Sequence, residues 1–525
     1  MKKVIVLNPP YIAFFALTIS TIFLFICLFF QPSIVGFDQA MYLHAGKLVI
    51  NGYKPFIDFF DINPPLIVYT SAVVSWFSYV LNIQDIIMFK IFILVYIFYF
   101  SISTFVFLNK HSTTAKILIS TSFILLFSFN AVIRVLGQRD QLFAMSLVLY
   151  LLSRWSHYDD DKPTGTTPFF QLFNYIIFAI TTCYKPFFII HFIVSELYFY
   201  FCFKKNKYDR LPLYILSVFS FTYFLFLIFL PEPAHTNFWH YHILMVKKYY
   251  GSFQYFPFIN LSYDHLILLI YFFIIPFVFL HRPETYNPKE RLIVLNLLCA
   301  SIVYFLQEKF YPYHVSVVEH LLVFFLIIYS LVHSFRKRTL LIPIVLSFFY
   351  MNGYGEYFLH PPGKFLSSPS TCINETLPII TRYSKEEDKI LILSSSVRID
   401  YPLLNLTKRE IGSRYLFNYP ISFLGSVRFK NHHLNLNKID KEHEQFELEY
   451  KNNLMTDIKN KQPKIIFFVE KTDNPHMRQN MPYGFPLSKY LYFLGILDFI
   501  KKNDYVFLEK TPCGAQFYIR RSFEK

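Results

Sequence analysis

Three aspartates, Asp38, Asp58 and Asp61, fall within 24 residues directly after an apolar run that ends at Phe30. They lie on the stretch Gly36-Phe37-Asp38-Gln39-Ala40-Met41-Tyr42 through Asp58-Phe59-Phe60-Asp61-Ile62-Asn63-Pro64-Pro65-Leu66. Carboxylates at the mouth of a membrane span are costly to place there without a task. The task that suits them is taking a proton from a hydroxyl, the work of a general base. Asp38 is the first acid after the run, and Gly36 before it lets the backbone turn close to the membrane. We read Asp38 as the base, with Tyr42, one helical turn on, lining the same pocket. Asp61 joins the substrate-binding set. Asp58 and Asp61 also precede Pro64-Pro65, which suits a helix start, and a carboxylate is favourable there.

A second group of candidates breaks the usual charge pattern of apolar segments. Arg134-Val135-Leu136-Gly137-Gln138-Arg139-Asp140-Gln141 joins two apolar runs and carries two cations and an acid. Asp140 is a second catalytic carboxylate in this reading. Arg134 and Arg139 suit phosphate, because the planar guanidinium fork binds two oxygens at once; the plainer alternative is an Arg139–Asp140 surface pair. Lys185, in Tyr184-Lys185-Pro186, interrupts another apolar stretch; the alternative is a lysine snorkelling to water. Gln307-Glu308-Lys309-Phe310-Tyr311-Pro312-Tyr313-His314 adds Lys309 and His314. His240-x-His242 has metal-ligand spacing but no acidic neighbour in sequence. No metal site is assigned, no cofactor is certain, and a divalent cation stays open.

The elements that must position these groups are membrane helices. Of the 525 residues, 54% are hydrophobic and 65 are Phe, more than a soluble core uses. The apolar spans are 11–30, 86–108, 115–132, 141–155, 167–183, 187–203, 211–231, 262–281, 291–307, 315–333 and 339–352, eleven in all. With Lys2 and Lys3 inside, every even-numbered connection is basic, ending with Arg336-Lys337-Arg338, as the orientation rule requires. The first run has no small-residue cleavage site after it and reads as a retained span. The run 64–82 would invert every later loop if it crossed, so it is expected as a helix at the outer interface. The net charge of +15 comes mostly from residues flanking apolar runs, which argues against a nucleic-acid partner.

The chain therefore divides into a polytopic α-helical membrane domain, 1–352, and an extracytoplasmic α/β domain, 353–525. Within the latter, 389–393 and 464–469 read as strands, 442–461 and 488–501 as helices, and 505–510 with 516–520 as a hairpin. Ser394-Ser395-Ser396 after the first strand reads as a turn, with an active-site loop as the alternative. Cys372 and Cys513 are the only cysteines of that part, and an oxidising compartment would pair them.

The acidic loop after the first span, its Gly-Tyr-x-Pro-like turn (Gly52-Tyr53-Lys54-Pro55) and the following double proline resemble the first external loop of the GT-C class of integral membrane glycosyltransferases. Lys185-Pro186 and the Gln307 to His314 element look like further elements of that class. The whole architecture is similar to protein O-mannosyltransferases and to the transferases that move aminoarabinose to lipid A. The resemblance places Asp38 at the catalytic Asp and Asp140 at a second external Asp, and matches Lys185 to a cation of the aminoarabinose transferases. Two positions depart: Asn63 stands where those transferases carry Lys, and Asp38-Gln39 where the mannosyltransferases carry Asp-Glu. The resemblance implies a GT-C-like fold of about 11 spans with interfacial helices. It implies an inverting transfer of sugar from a polyprenyl-phosphate donor to an extracytoplasmic lipid, glycan or protein. The bilayer would be the plasma (inner) membrane of a bacterium, with the N-terminus cytoplasmic. The alternative is a membrane transporter or flippase, or another protein that handles lipid-linked glycans. That class predicts charges in mid-span and paired broken helices; only Lys90 and Glu319 stand out as exceptions to charges at span ends.

Overall fold

The computed structural model describes residues 9–29, 36–108, 112–132, 136–159, 168–202, 209–241, 288–307, 312–332, 370–394, 397–401, 403–430, 433–434, 441–470 and 485–521. Through residue 332 the principal helices are α1 (Pro9–Phe29), α2 (Phe37–Ile50), α3 (Leu66–Leu81), α4 (Asp85–Phe107), α5 (Thr113–Val132), α6 (Arg139–Asp159), α7 (Pro168–Thr182), α8 (Ile189–Cys202), α9 (Leu211–Ile228), α10 (Pro288–Leu306) and α11 (Ser316–Val332). Two compact units form. One holds 1–36, 87–229 and 254–359; the other holds 37–86, 230–253 and 360–525. The division differs from a single cut at residue 352, because α2, α3 and the segment from Leu230 pack with the C-terminal part of the chain.

Among the described residues the first unit is a helical bundle. α1 packs on α5, α6 on α7, α7 on α9, and α11 on α5, α6 and α10. Its core is aromatic: Phe143 stacks on Phe188 at 4.0 Å and Tyr150 on Phe178 at 4.2 Å. The expected spans 262–281 and 339–352 lie outside the described residues. The other nine fall on helices, but among the described residues only α4 and α9 are long and apolar enough to cross a membrane by length and composition. α7, with 15 residues, reaches about 22 Å at 1.5 Å per residue, against a hydrocarbon core of about 30 Å. The structure thus carries membrane character in two helices and does not establish the count of eleven.

The second unit is α/β. Its other principal elements are α12 (Ser370–Tyr383), β1 (Lys389–Leu393), β2 (Glu410–Ile411), α13 (Tyr419–Arg428), a ladder of β3 (Phe429–Lys430) with β4 (His433–Leu434), α14 (Lys441–Lys461), β5 (Ile465–Val469), α15 (Leu487–Phe493), α16 (Ile496–Lys502), β6 (Tyr505–Lys510) and β7 (Ala515–Arg520). The main sheet runs β2-β1-β5-β7-β6, with β1 parallel to β2 and β5, and β7 antiparallel to β5 and β6. β1 and β5 read as continuous apolar runs because they are central and covered on both faces. Cys372 on α12 and Cys513 in the β6–β7 turn form the expected disulfide, with Cα atoms 5.3 Å apart. Glu375, one turn along α12, accepts from the Cys513 amide at 2.7 Å, so the same two elements are joined twice.

Within this unit α2 and α3 form a tight hairpin. A Cβ at Gly46 would sit 2.6 Å from the Ser71 carbonyl carbon, so only glycine permits that approach. Ser75 Oγ donates to the Leu43 carbonyl at 3.2 Å. α3 starts after Pro65 and ends where Asn82 turns left-handed at φ 52°, a conformation Asn tolerates. Its 16 residues span about 24 Å, short of a crossing.

Candidate functional site

Asp38 lies in the first turn of α2 and is half-buried, with Tyr42 buried on the same helix four residues on. The spacing puts both on one face, as expected. Asp61 is buried and accepts from the Ile62 amide at 2.7 Å and from Asn63 Nδ2 at 3.2 and 3.1 Å. Both of its oxygens therefore bind the loop that leads into α3. Asp58 closes the turn before it, accepting from the Lys54 amide at 2.7 Å. The three acids of the opening stretch thus separate into one at a helix start and two that shape a loop.

The cationic turns belong to the first unit, and there three distant pieces of sequence meet. Lys185 Nζ donates to Asp140 Oδ1 at 2.9 Å and to Gln307 Oε1 at 3.1 Å, and its ion-pair contact with Asp140 Oδ2 is 2.6 Å. All but 9% of the Lys185 side chain and 1% of that of Asp140 is withdrawn from solvent, so this is a buried pair. The ring faces of Phe187 and Phe188 lie 5.5 and 5.7 Å from Nζ, a further hold on the cation. Arg139 is buried beside Asp140 at the start of α6. Asp140 is thus bound to Lys185, and Arg139 and Asp140 are both buried rather than at the surface. His314 is buried in the 3-10 turn Pro312–Val315, which packs against α6. Arg134 and Lys309 lie outside the described residues. Gln141 accepts from the Gly137 amide at 2.8 Å. Gly137 is at φ +81°, and a Cβ there would meet the Phe89 ring at 2.5 Å, so the turn ahead of Arg139 requires glycine twice over.

A second buried ion pair ties the same helices further along. Arg154 on α6 reaches Glu196 on α8 at 2.7 Å and the Asp209 carbonyl at 3.0 Å, and Tyr150 donates to Glu196. Fourteen residues separate Asp140 from Arg154, about 21 Å of helix. Charged pairs therefore fasten α6 to the α8 segment at two levels. Removing one partner of such a pair leaves a buried charge alone, at a cost of about 3–5 kcal/mol. Lys185→Met is accordingly expected to lower stability by about that amount, read as thermal unfolding of the full-length protein, while Lys185→Arg keeps most of it. An unchanged unfolding temperature in Lys185→Met would remove the pair from the account.

Several groups of the second unit were not singled out in the sequence. Asp400 is buried and accepts from Ser394 Oγ at 2.9 Å. Burial pushes its carboxyl well above the usual range, against the pull of that hydrogen bond. His44, on α2, is buried against the Tyr401 ring at 5.6 Å, and burial, then Lys47, lowers its pKa to about 3. Both belong to elements whose partners are remote in sequence. Ser394 begins the triple-serine turn, and the serine is used there structurally.

His240 was noted for its spacing with His242, which lies outside the described residues. The structure gives it an acidic partner, Glu449, at 3.1 Å. Among the described residues no group of three or more His, Cys, Asp or Glu side chains could hold a metal ion. The hydrogen bond to Glu449 raises the His240 pKa, more than burial lowers it. Burial pushes Glu449 upward, but His240, Tyr241 and Arg414 together bring it below its ordinary value. The raised His contributes stability below the ordinary 6.5, lost as pH rises through its folded pKa. The lowered Glu contributes above 4.5, lost as pH falls through its own. The pair therefore contributes most between pH 4.5 and 6.5. The destabilisation caused by His240→Gln should be larger at pH 5.5 than at pH 8, measured by thermal unfolding; equal effects at both would contradict it.

No family model matches the chain, and no curated protein matches it. Two crystal structures of the Archaeoglobus fulgidus oligosaccharyltransferase are similar to it. The one in complex with Zn and sulfate has a TM-score of 0.42 and 12% identity, covering 96% of this chain and 73% of that one. The apo form has a TM-score of 0.42 and 10% identity, covering 98% and 75%. At a TM-score of 0.42 the likeness is too loose to assign a fold or an activity.

Proposed function

We propose that the chain is an integral membrane glycosyltransferase that moves a sugar from a polyprenyl-phosphate donor to an extracytoplasmic acceptor. The observation that supports this reading best is the buried Asp140–Lys185–Gln307 cluster. It gathers three turns that the sequence places on the outer face, between apolar helices. Cations fixed at such a place, with little water, suit a phosphate leaving group.

In the proposed chemistry the Asp38 carboxylate takes the proton of the acceptor hydroxyl. The acceptor oxygen bonds to the anomeric carbon as the bond from that carbon to the phosphate oxygen breaks. Polyprenyl phosphate departs with the electron pair, and attack opposite to it inverts the centre. Arg139, Lys185 and Lys309 receive the phosphate charge, with Arg134 and His314 as further donors; Asp140 sets the position of Lys185. Tyr42 and Asp61 shape the acceptor side. The proposed setting is the plasma (inner) membrane of a bacterium, the N-terminus cytoplasmic and residues from about 353 outside.

Incubation of the purified protein with a mixed pool of polyprenyl-phosphate sugars and a cell-envelope extract tests this. Transfer appears as free polyprenyl phosphate together with new glycosylated product. A transporter would move the donor intact across a vesicle membrane and break no bond. The charges named for that alternative, Lys90 and Glu319, are buried in α4 and α11, and the vesicle arm weighs them.

A further inference from the structure

The second unit brings the acid-bearing loop under the control of a short rail of residues, 413–416. Phe60 donates its amide to the Arg414 carbonyl at 2.6 Å, and Leu416 donates to the Phe60 carbonyl at 3.1 Å, a single parallel β-bridge. The Phe60 ring stacks on Tyr241 at 4.5 Å and meets the edge of Tyr415 at 5.8 Å. The rail itself is held from behind. Arg414 forks onto Asp457 of α14, with Nη2 at 2.9 Å and its own amide at 2.8 Å, and reaches Asn453 at 3.0 Å. Lys461 Nζ donates to the Ser413 carbonyl at 2.8 Å. Tyr401, packed on His44 of α2, donates its hydroxyl to the Leu416 carbonyl at 2.9 Å. The rail thus holds the α2–α3 connection at Phe60, directly before Asp61, and through Tyr401 it reaches His44 in the middle of α2, the helix whose first turn holds Asp38.

We infer that Phe60, seated on the 413–416 rail, is a positioning residue for the acids Asp38 and Asp61, and that α14 contributes to the reaction by holding that rail. The inference rests on the transferase reading proposed above. A bridge of two hydrogen bonds is weak by itself; the stacked rings and the Arg414–Asp457 fork give it one geometry. Arg414 suits the task because a guanidinium fork fixes direction as well as charge. Reacting groups tolerate little displacement: a misplacement of about 1 Å costs up to about 100-fold.

The test uses the full-length protein with Phe60→Ala and Phe60→Tyr, reading transfer kinetics and backbone hydrogen exchange. Phe60→Ala should lower kcat about 10- to 100-fold with the KM for the donor within about twofold, since the residues proposed to take the donor phosphate are untouched. The amides of residues 60 and 416 should exchange faster. Phe60→Tyr keeps the stack and should restore both readings. If Phe60→Ala does not fold, Asp457→Asn loosens the rail from the other side and should give the same pattern. Parental kcat in either variant, with exchange at 60 and 416 accelerated, overturns the positioning role. A parent protein that transfers no sugar overturns the transferase reading itself, and is told apart because it fails before any substitution is made.

Discussion

Asp38→Asn is expected to lower the proposed sugar transfer by about 100-fold or more, the usual scale for loss of a general base, and to leave the fold and donor binding in place. Asparagine has the shape of aspartate and cannot take the acceptor proton. Asp38 is half-buried in the first turn of α2, where a carboxylate is also favoured by the helix dipole, a contribution of about 0.3–1 kcal/mol. That loss is small beside the stability of a domain, so the variant should unfold near the parent's temperature. The other acids of the loop separate from it in kind. Asp58→Asn replaces the charged acceptor of the Lys54 amide by a neutral, weaker one and should act through the turn. Asp61→Asn disturbs the contacts with Ile62 and Asn63 and should act through the entry to α3. Turnover measured at saturating donor, with binding of the lipid phosphate measured separately, distinguishes these cases. An Asp38→Asn protein that transfers at the parent rate would return the role of base to another residue.

Loss of the Cys372–Cys513 bond should destabilise the second unit by about 5 kcal/mol on loop-closure entropy alone, because the bond spans 141 residues. That figure is comparable with the whole stability of many domains, about 5–15 kcal/mol. The Glu375 hydrogen bond to Cys513 softens the loss by keeping α12 near the β6–β7 turn when the sulfur bridge is gone. The double Cys→Ser variant, or reduction of the parent, should therefore lower the denaturant midpoint of the C-terminal part and expose its hairpin to protease. No shift in that midpoint would show that the bond constrains nothing that unfolding releases.

The parts of the fold legible in the sequence are those with a local signal. β1, β5, α14 and the β6–β7 hairpin each lie within two residues of their expected places, because apolar runs and charged periodicity are read within one segment. The helix 488–501 divides into α15 and α16, a break that depends on packing. Lys185, Asp140 and Arg139 stood out because charges at the ends of apolar runs are conspicuous, and two of them pair. Gln307, which accepts from Lys185, is in the sequence only the start of a pattern. What the sequence could not reveal is the seating of Phe60. Nothing in Asp58-Phe59-Phe60-Asp61 signals that its backbone pairs with a segment more than 350 residues later. Long-range bridges of one residue leave no periodicity. For the same reason the sequence divides the chain at 352, while contacts gather 37–86 and 230–253 with the C-terminal elements.

Bond cleavage at a lipid-linked sugar is read most directly as release of polyprenyl phosphate by the purified full-length protein, followed by mass spectrometry of donor and acceptor in one vessel. The account predicts that free polyprenyl phosphate accumulates in step with glycosylated acceptor, and that both fall about 100-fold in Asp38→Asn. A donor pool that stays intact while the lipid-linked sugar crosses the bilayer would contradict it.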